Sequence, residues 1–591
     1  MTASRCSARR FELGLVMAGA ASAGAYTAGV LDFLIEALTA WQDAMASGNP
    51  LVPDHEVAIR VAAGTSAGGI AASLLSMLPF TGHYPMRDLA GVAAPADAEN
   101  ARRNLLYRCW VVDTDINRLL STNDLRDPAA HVPSLLNGSI LSEISDGAVA
   151  DVRAALAGSP ASPPPFFANP LQLYLCLTNM RGVPYVIRMV ADEERRGHVV
   201  TSHSDYAHFA VLGAGLEAAG AVPRGAIPVN WPGTSGVPAA DGWDSVRDAA
   251  LATSAFPGGF PARRFRNPLS VYQARDWIGA AATAAARTLA VQIDLPELET
   301  DVYDFWCVDG GLLNNEPIEH VRRVLARGDT SSGAHDGRSA DHALLLIDPF
   351  PDDGHRQEAR PDTAPDLLGS LLSLIPVLRA QAAFKPEELM LALDENVRSR
   401  YLLSPKRETM RPAEGELASG GLSGFAGFMH EQLRMHDYQL GRRNCQKFLA
   451  DHFYVHRDNP IVAPWVHRLS GTDALEGHHP MVADAGGPPY KRRDLVPVIP
   501  LMPCVRPEIP LRPWPKLSRK LDLQPVRGLI ERRADIVVPE LIRALLMRAG
   551  IGDRRLINRM LRAIASDMIT RKVGRALSDA VEQDLLKRGL L

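Results

Sequence analysis

The chain has 591 residues, more than the roughly 250–300 at which one hydrophobic core usually stops growing. Apolar residues make up 46% and charged residues 22%, a globular balance that excludes a disordered or fibrous chain. The formal net charge is -4, so no global basic field calls for nucleic acid as a partner.

Arg9-Arg10 followed by Phe11 to Ala25 has the outline of a signal peptide. Glu12 interrupts its apolar part, however, and the same residues fit a strand, a tight turn and a helix start. We read Phe11 to Ala18 as a buried strand ending at Gly19. Gly24 to about Met45 reads as a helix, with Tyr26, Val30, Phe33, Leu34, Ala37, Leu38 and Trp41 at helical spacing. Glu56 to Ala63 is the next predicted strand and runs directly into Gly64-Thr65-Ser66. Ala67 to Leu78 follows as a helix that Pro79 is expected to stop. Strand, turn and helix thus occur twice within about 80 residues, the alternation of an α/β sheet with helices on its faces.

Further strands are predicted at Leu171 to Leu177, Tyr185 to Val190, Tyr303 to Val308 and Ala343 to Ile347, from their β-branched and aromatic content. Pro-, Gly- and Ala-rich stretches at Gly158 to Pro165 and Ala221 to Gly242 read as surface insertions, and Gly328 to Ser339 as a polar loop. After Asp348-Pro349-Phe350-Pro351 the pattern becomes mostly helical, which sets a boundary near residue 355. Arg527 to Leu591 holds 14 Lys/Arg against 8 Asp/Glu, a local balance of +6. A helix such as Val538 to Leu546 could lie on anionic lipid, and a solvated helical hairpin packed on the main domain is the plainer reading. No run of 18 or more apolar residues occurs, so membrane contact is expected to be peripheral.

The six cysteines (Cys6, Cys109, Cys176, Cys307, Cys445 and Cys504) form no CxxC pair or zinc knuckle. Their spacing suits a reducing, cytoplasmic setting.

Gly64-Thr65-Ser66-Ala67-Gly68 fits the nucleophile-elbow pattern GxSxG. A strand must turn sharply into a helix with the serine at the apex, and the flanking glycines leave room for the neighbouring backbone. A serine hydroxyl needs a base to take its proton. His203, His208, His320, His478 and His479 are available, but no motif singles one out, and each reads as a surface or loop histidine. Asp309-Gly310-Gly311 is more informative. It ends a predicted strand, at the sheet edge where open α/β folds place their sites. Asp146-Gly147-Ala148 competes for the same role, but its context reads as a helix-start turn. Met17 to Gly24 joins the first strand to the first helix, and its small residues let backbone N–H groups point at one spot, as an oxyanion requires.

The three segments, in this order, resemble the patatin-like phospholipases. Members of that family carry a glycine-rich oxyanion loop, then GxSxG, then DGG or DGA, and work with a Ser–Asp dyad. The resemblance implies a three-layer α/β/α sheet over residues 11–350, with insertions within about 80–250, and a mostly helical C-terminal region of unassigned role over 355–591. It implies Ser66 as nucleophile, Asp309 as proton acceptor, and Gly19, Ala20 and Ala21 as the oxyanion residues. Asn314-Asn315-Glu316-Pro317 is similar to the Asn-Asn-Pro that often follows the aspartate, and Leu251 to Phe260 to another small-residue stretch of the family. The chain departs from the pattern where two of the three loop glycines are alanine and Ala23 replaces the family's Arg or Lys. Alanine resists positive φ, and the missing charge weakens oxyanion stabilisation or removes a loop anchor.

Other signals fail on spacing. His430-Glu431 with His436 resembles HExxH, but six residues put the imidazoles ~240° apart around a helix. Gly213-Ala214-Gly215 lacks the third glycine of a dinucleotide loop until Gly220. The expectation is therefore a lipid acyl hydrolase of the phospholipase or lysophospholipase type, without metal or cofactor, acting on lipid or phospholipid. Two alternatives are a catalytically impaired lipid-binding or membrane-recruited scaffold, and a thioesterase or other esterase.

Overall fold

A computed structural model describes residues 10–87, 98–125, 132–158, 163–187, 198–213, 222–231, 240–275, 291–293, 301–326, 335–350, 377, 381, 397, 399–408, 414–482, 489–548 and 568–591. Among these, ten strands form the central sheet: β1 (Arg10–Met17), β2 (Glu56–Gly64), β3 (Phe167–Ile187), β4 (His198–Val211), β5 (Ile227–Val229), β6 (Arg263–Pro268), β7 (Val291–Ile293), β8 (Val302–Asp309), β9 (His342–Ile347) and β10 (Arg400–Leu403). The main path runs β10-β9-β1-β2-β3-β4-β5. It is parallel from β10 to β3, and β4 then runs antiparallel to β3. β1 and β9 are apolar and buried along nearly their whole length, as strands covered on both faces must be.

The long strand β3 brings distant residues together. β4 occupies one edge of it from Leu171 to Ile187. On the other edge β2 ends at Gly64, opposite Leu175, and β8 arrives antiparallel with Asp309 opposite Leu177. Two strands therefore meet end to end along one edge of β3. The residues at their tips become neighbours although 243 positions separate Ser66 from Asp309.

Helices α1 (Gly24–Ala46), α2 (Ala67–Thr81), α3 (Ser139–Ala157) and α4 (Trp243–Thr253) precede β6 in the chain. α1, α2 and α4 pack into the larger core on one face of the sheet, with Leu31, Leu34, Leu75 and Val246 against Leu13, Leu15 and Leu173. α5 (Ile318–Leu325) covers the opposite face, setting Ile318, Val321 and Leu325 on Val16, Val61, Ala63 and Leu344. The result is a three-layer α/β/α arrangement with a mostly parallel sheet.

The boundary expected near residue 355 lies outside the described residues, and the chain from 399 onward is built into the same core. β10 extends the sheet beside β9. α6 (Glu431–Asp451) lies directly on α1, and glycines at the crossing let the backbones touch. A Cβ on Gly29 would fall 1.9 Å from the Tyr438 carbonyl oxygen, and one on Gly441 would fall 2.2 Å from that of Tyr26. Beside this crossing the buried Arg442 binds Asp32 and, at 2.6 Å, Glu36. Asn104 donates to Asp32 and Arg87 to Glu36, each at 2.6 Å, so the buried carboxylates have several partners. Losing one member would leave an uncompensated charge, at a cost of about 3–5 kcal/mol. α7 (Gln524–Arg548) and α8 (Met568–Lys587) pack on each other at the chain's end.

Several expectations require correction. Pro79 does not stop α2, which runs on to Thr81; a proline in the last turn removes one N–H donor without unwinding the turns before it. The two strands expected at Leu171 to Leu177 and Tyr185 to Val190 are one strand, β3, ending at Ile187, with residues 188–190 outside the described set. Asp146-Gly147-Ala148 lies inside α3, not at a helix start, and Asp146 is exposed and paired with Arg247 at 3.0 Å. The C-terminal region is mostly helical, as expected, in α6, α7 and α8, and it also holds β10 and the short pair Tyr454–His456 and Leu495–Pro497. His208, in β4, and His320, in α5, are buried and lie neither at the surface nor in a loop, whereas His479 lies in a loop, as expected, but is buried there. Much of Gly328 to Ser339, Ala221 to Gly242 and Gly213-Ala214-Gly215 lies outside the described residues. Among the described residues, no helix is long and apolar enough to cross a membrane.

Candidate active site

Ser66 stands between the end of β2 and the start of α2, with φ 54° and ψ -126°. A non-glycine residue there stores of the order of 1–3 kcal/mol of strain, which the surrounding packing must hold. Gly64 and Gly68 are what the packing needs. A Cβ on Gly64 would lie 2.3 Å from the Gly68 carbonyl oxygen, and one on Gly68 would lie 2.1 Å from that of Met17. The Ser66 N–H donates to Thr253 Oγ1 at 3.0 Å, and Thr253 donates in turn to the Cys176 carbonyl at 2.5 Å. The elbow is therefore tied to both α4 and β3. The N-terminus of α2 also brings its positive end to Ser66.

Ser66 Oγ donates to Asp309 Oδ2 at 2.6 Å. The other carboxylate oxygen accepts from the Gly311 N–H at 2.7 Å, which fixes the rotamer. The Asp309 backbone is pinned as well: its N–H donates to the Ala255 carbonyl at 2.9 Å, and Thr178 Oγ1 donates to its carbonyl at 2.8 Å. Asp309 is buried and Ser66 half-buried, so the hydroxyl faces an opening and the carboxylate stands behind it. Gly310 and Gly311 begin the turn that follows Asp309.

The loop between β1 and α1 lies over the elbow. A Cβ on Gly19 would be 3.1 Å from Ser66 Cβ and 2.6 Å from Asn315 Oδ1, so the loop backbone is in contact with both. Ala20 is buried at φ -147°, and Ala21 takes φ 45° in spite of its methyl group. Alanine at that angle costs roughly 1–2 kcal/mol. The strain is held from the far end of the sequence, where residues 418–429 press on this loop. Ser22 Oγ donates to the Gly424 carbonyl, and a Cβ on Gly427 would lie 2.5 Å from Ser22 Oγ. The segment Asn314-Asn315-Glu316-Pro317 completes the frame, with the Asn314 carbonyl accepting from Thr65 Oγ1 at 2.8 Å.

Ser66 opens into a narrow cavity of about 60 Å³. Its wall is apolar and aromatic: Ile70, Trp110, Leu141, Ile144, Phe256, Phe260, Phe425 and Phe428. Cys109 also lines it, but burial pushes the thiol up to about 12, so it is no rival nucleophile at neutral pH. No histidine lines this cavity among the described residues. His208 stacks on Tyr174 at 4.0 Å and His320, from α5, on the same ring at 4.9 Å, between α5 and the sheet.

The structure thus brings together Ser66, Asp309, Gly19, Ala20, Ala21, Gly64, Gly68, Gly310 and Gly311. Sequence reasoning missed Thr178 and Trp110, which carry no motif, and Phe425 and Phe428, which arrive from beyond the expected boundary; Thr253 lies in the stretch Leu251 to Phe260 singled out from the sequence, but its role there was not assigned.

The model of the family described as "Patatin-like phospholipase" matches residues 15–173. That range holds the loop and the elbow and stops short of Asp309. A relative described as "Uncharacterized protein y4iI", from Sinorhizobium fredii (strain NBRC 101917 / NGR234), is 32% identical over 540 residues, covering 86% of this chain and 73% of that protein. The elbow on a mostly parallel three-layer sheet agrees with the family match. The chain belongs to the patatin-like phospholipase family.

Proposed function

We propose that this protein hydrolyses carboxylic ester bonds of lipids, phospholipid or lysophospholipid among them, with Ser66 as nucleophile and Asp309 as its base. The observation that carries this reading is the 2.6 Å hydrogen bond from Ser66 Oγ to Asp309 Oδ2, made at the mouth of an apolar cavity. Asp309 accepts the hydroxyl proton as Ser66 Oγ attacks the acyl carbonyl, and the carbonyl oxygen becomes an oxyanion. Gly19, Ala20 and Ala21 supply the backbone N–H donors to that oxyanion, helped by the positive end of α2. The proton passes to the leaving alcohol. Water activated by Asp309 then cleaves the acyl-enzyme and releases the fatty acid. The apolar wall suits a hydrocarbon chain, and a charged acyl group would be left unpaired there.

Peripheral contact with a membrane would deliver such a substrate. Leu541, Leu545 and Met547 of α7 are exposed large apolar side chains beside Arg543 and Arg548, a composition suited to an anionic lipid surface.

The test is fatty-acid release from mixed phospholipid and lysophospholipid vesicles. The wild type is expected to release acid, and Ser66→Ala to release none while keeping its fold. Equal release from both would remove Ser66 from the mechanism.

A further inference from the structure

At the opposite end of β9 from Ser66 lies a second group of chemically able side chains: His335, Asp341 and His342. Each offers one donor atom, and all three atoms lie within 4.8 Å of one another. We propose that they bind a divalent transition metal of the zinc type, in a site separate from the ester-cleaving centre.

The ring geometry supports this. The His335 and His342 ring centres are 5.0 Å apart and their planes stand at 82°. Two imidazoles held at ~2.0–2.1 Å on one tetrahedral ion place their ring centres at roughly 5 Å, so the ring separation is compatible with such an ion, and the donor atoms, within 4.8 Å of one another, draw together on binding. His342 Nδ1 is 2.7 Å from Asp341 Oδ1, a contact whose proton a metal would displace. Two imidazoles and one carboxylate form a donor set that suits zinc, with water completing the tetrahedron on the side where Asp341 is exposed.

The scaffold is fixed before any ion arrives. The His335 N–H donates to Ser399 Oγ at 2.9 Å. Asp336 Oδ1 accepts from the N–H groups of Arg338 and Ser339, both at 2.9 Å, and holds the intervening turn. His342 opens β9, and the Glu12 N–H donates to the Asp341 carbonyl at 2.9 Å, which locks the strand start to β1. A His–Asp ion pair alone would need only Asp341 and His342. The convergence of His335 from seven residues upstream is what distinguishes a metal site.

The site is remote from the dyad. Ile347, at the other end of β9, is the residue whose carbonyl accepts from the Ala18 N–H beside the oxyanion loop. Five strand steps, about 17 Å, separate it from His342. The metal would staple the turn to the sheet, and the ester chemistry does not depend on it.

The experiment uses the full untagged chain, stripped by chelation and titrated with Zn2+ against a chromophoric competitor, with Co2+ as a spectroscopic substitute. One Zn2+ per chain is expected, with visible d–d bands of tetrahedral Co2+. His335→Ala changes a half-exposed turn residue and leaves the core alone; it is expected to weaken Zn2+ binding about tenfold or more and to abolish the Co2+ bands. No saturable binding by the wild type, or equal binding by His335→Ala, would overturn the proposal. Neither result bears on Ser66.

Discussion

Ser22, in the loop that covers the nucleophile, donates its side-chain hydroxyl to the carbonyl of Gly424, 402 residues further along the chain. This contact gives part of the C-terminal region a task. Residues 418–429 press on the loop from outside, at a place where the loop itself holds Ala23 and no charged side chain. Gly427 has no room for a side chain there, its Cβ position being 2.5 Å from Ser22 Oγ. Gly427→Val is expected to push the loop off the elbow and lower kcat for ester hydrolysis about tenfold or more, because the oxyanion contacts are lost. Steady-state kinetics, with circular dichroism to check the fold, measure this. An unchanged kcat would show that the loop holds itself.

Much of this site was legible in the sequence because its parts obey local rules. A strand running into GxSxG has one steric solution, and Asp-Gly-Gly after a strand has few. Gly64, Ser66, Gly68 and Asp309 could be read from neighbours alone. Thr253 could not, since its value lies in accepting from the Ser66 N–H across 187 residues. Nor could the helix crossing at Gly29 and Gly441, where each glycine is explained only by backbone of the other helix. The expected division near residue 355 follows a real change in composition. Composition does not show that α6 lies on α1 or that Arg442 is buried against Asp32 and Glu36.

The cavity beside Ser66 encloses about 60 Å³, far less than the roughly 300–1,000 Å³ of ordinary small-molecule sites. Phe425 and Phe428 form part of its wall and pack edge to face at 5.7 Å. Phe425→Ala is expected to widen the slot and shift selectivity toward longer acyl chains by about tenfold in relative kcat/KM. A series of p-nitrophenyl esters of increasing chain length measures it. The same chain-length profile in variant and wild type would place the acyl chain elsewhere.

Acid sensitivity should be traceable to His55. This ring lies between Trp41 and Trp465, at 4.8 and 6.0 Å, with Nε2 at 2.8 Å from the Val498 carbonyl and Nδ1 unpartnered. Burial holds its pKa down, at about 4 against an ordinary 6.5. The neutral form is therefore the folded form, and the unfolded chain takes up the proton first as the pH falls. Its contribution is fully present above about pH 6.5 and is lost between there and about pH 4, on the order of 3 kcal/mol in all. Urea midpoints at pH 7.0 and about pH 4.5 should differ more in the wild type than in His55→Phe, which has no proton to gain.

On the helix at residues 524–548, Leu541 and Leu545 are 53% and 59% exposed and share one face at i,i+4 spacing. The double variant Leu541→Glu/Leu545→Glu is expected to lose binding to anionic vesicles while keeping its hydrolysis of soluble esters. Co-sedimentation at low salt measures the first and a soluble-ester assay the second. Undiminished sedimentation would move the membrane contact to another surface.

A fluorophosphonate probe of serine hydrolases reports whether Ser66 is an activated nucleophile with Asp309 as its base. Covalent labelling of the wild type is expected, with none in Ser66→Ala and a rate lowered at least a hundredfold in Asp309→Asn. Labelling that persists in Ser66→Ala, or proceeds at the wild-type rate in Asp309→Asn, would contradict the dyad.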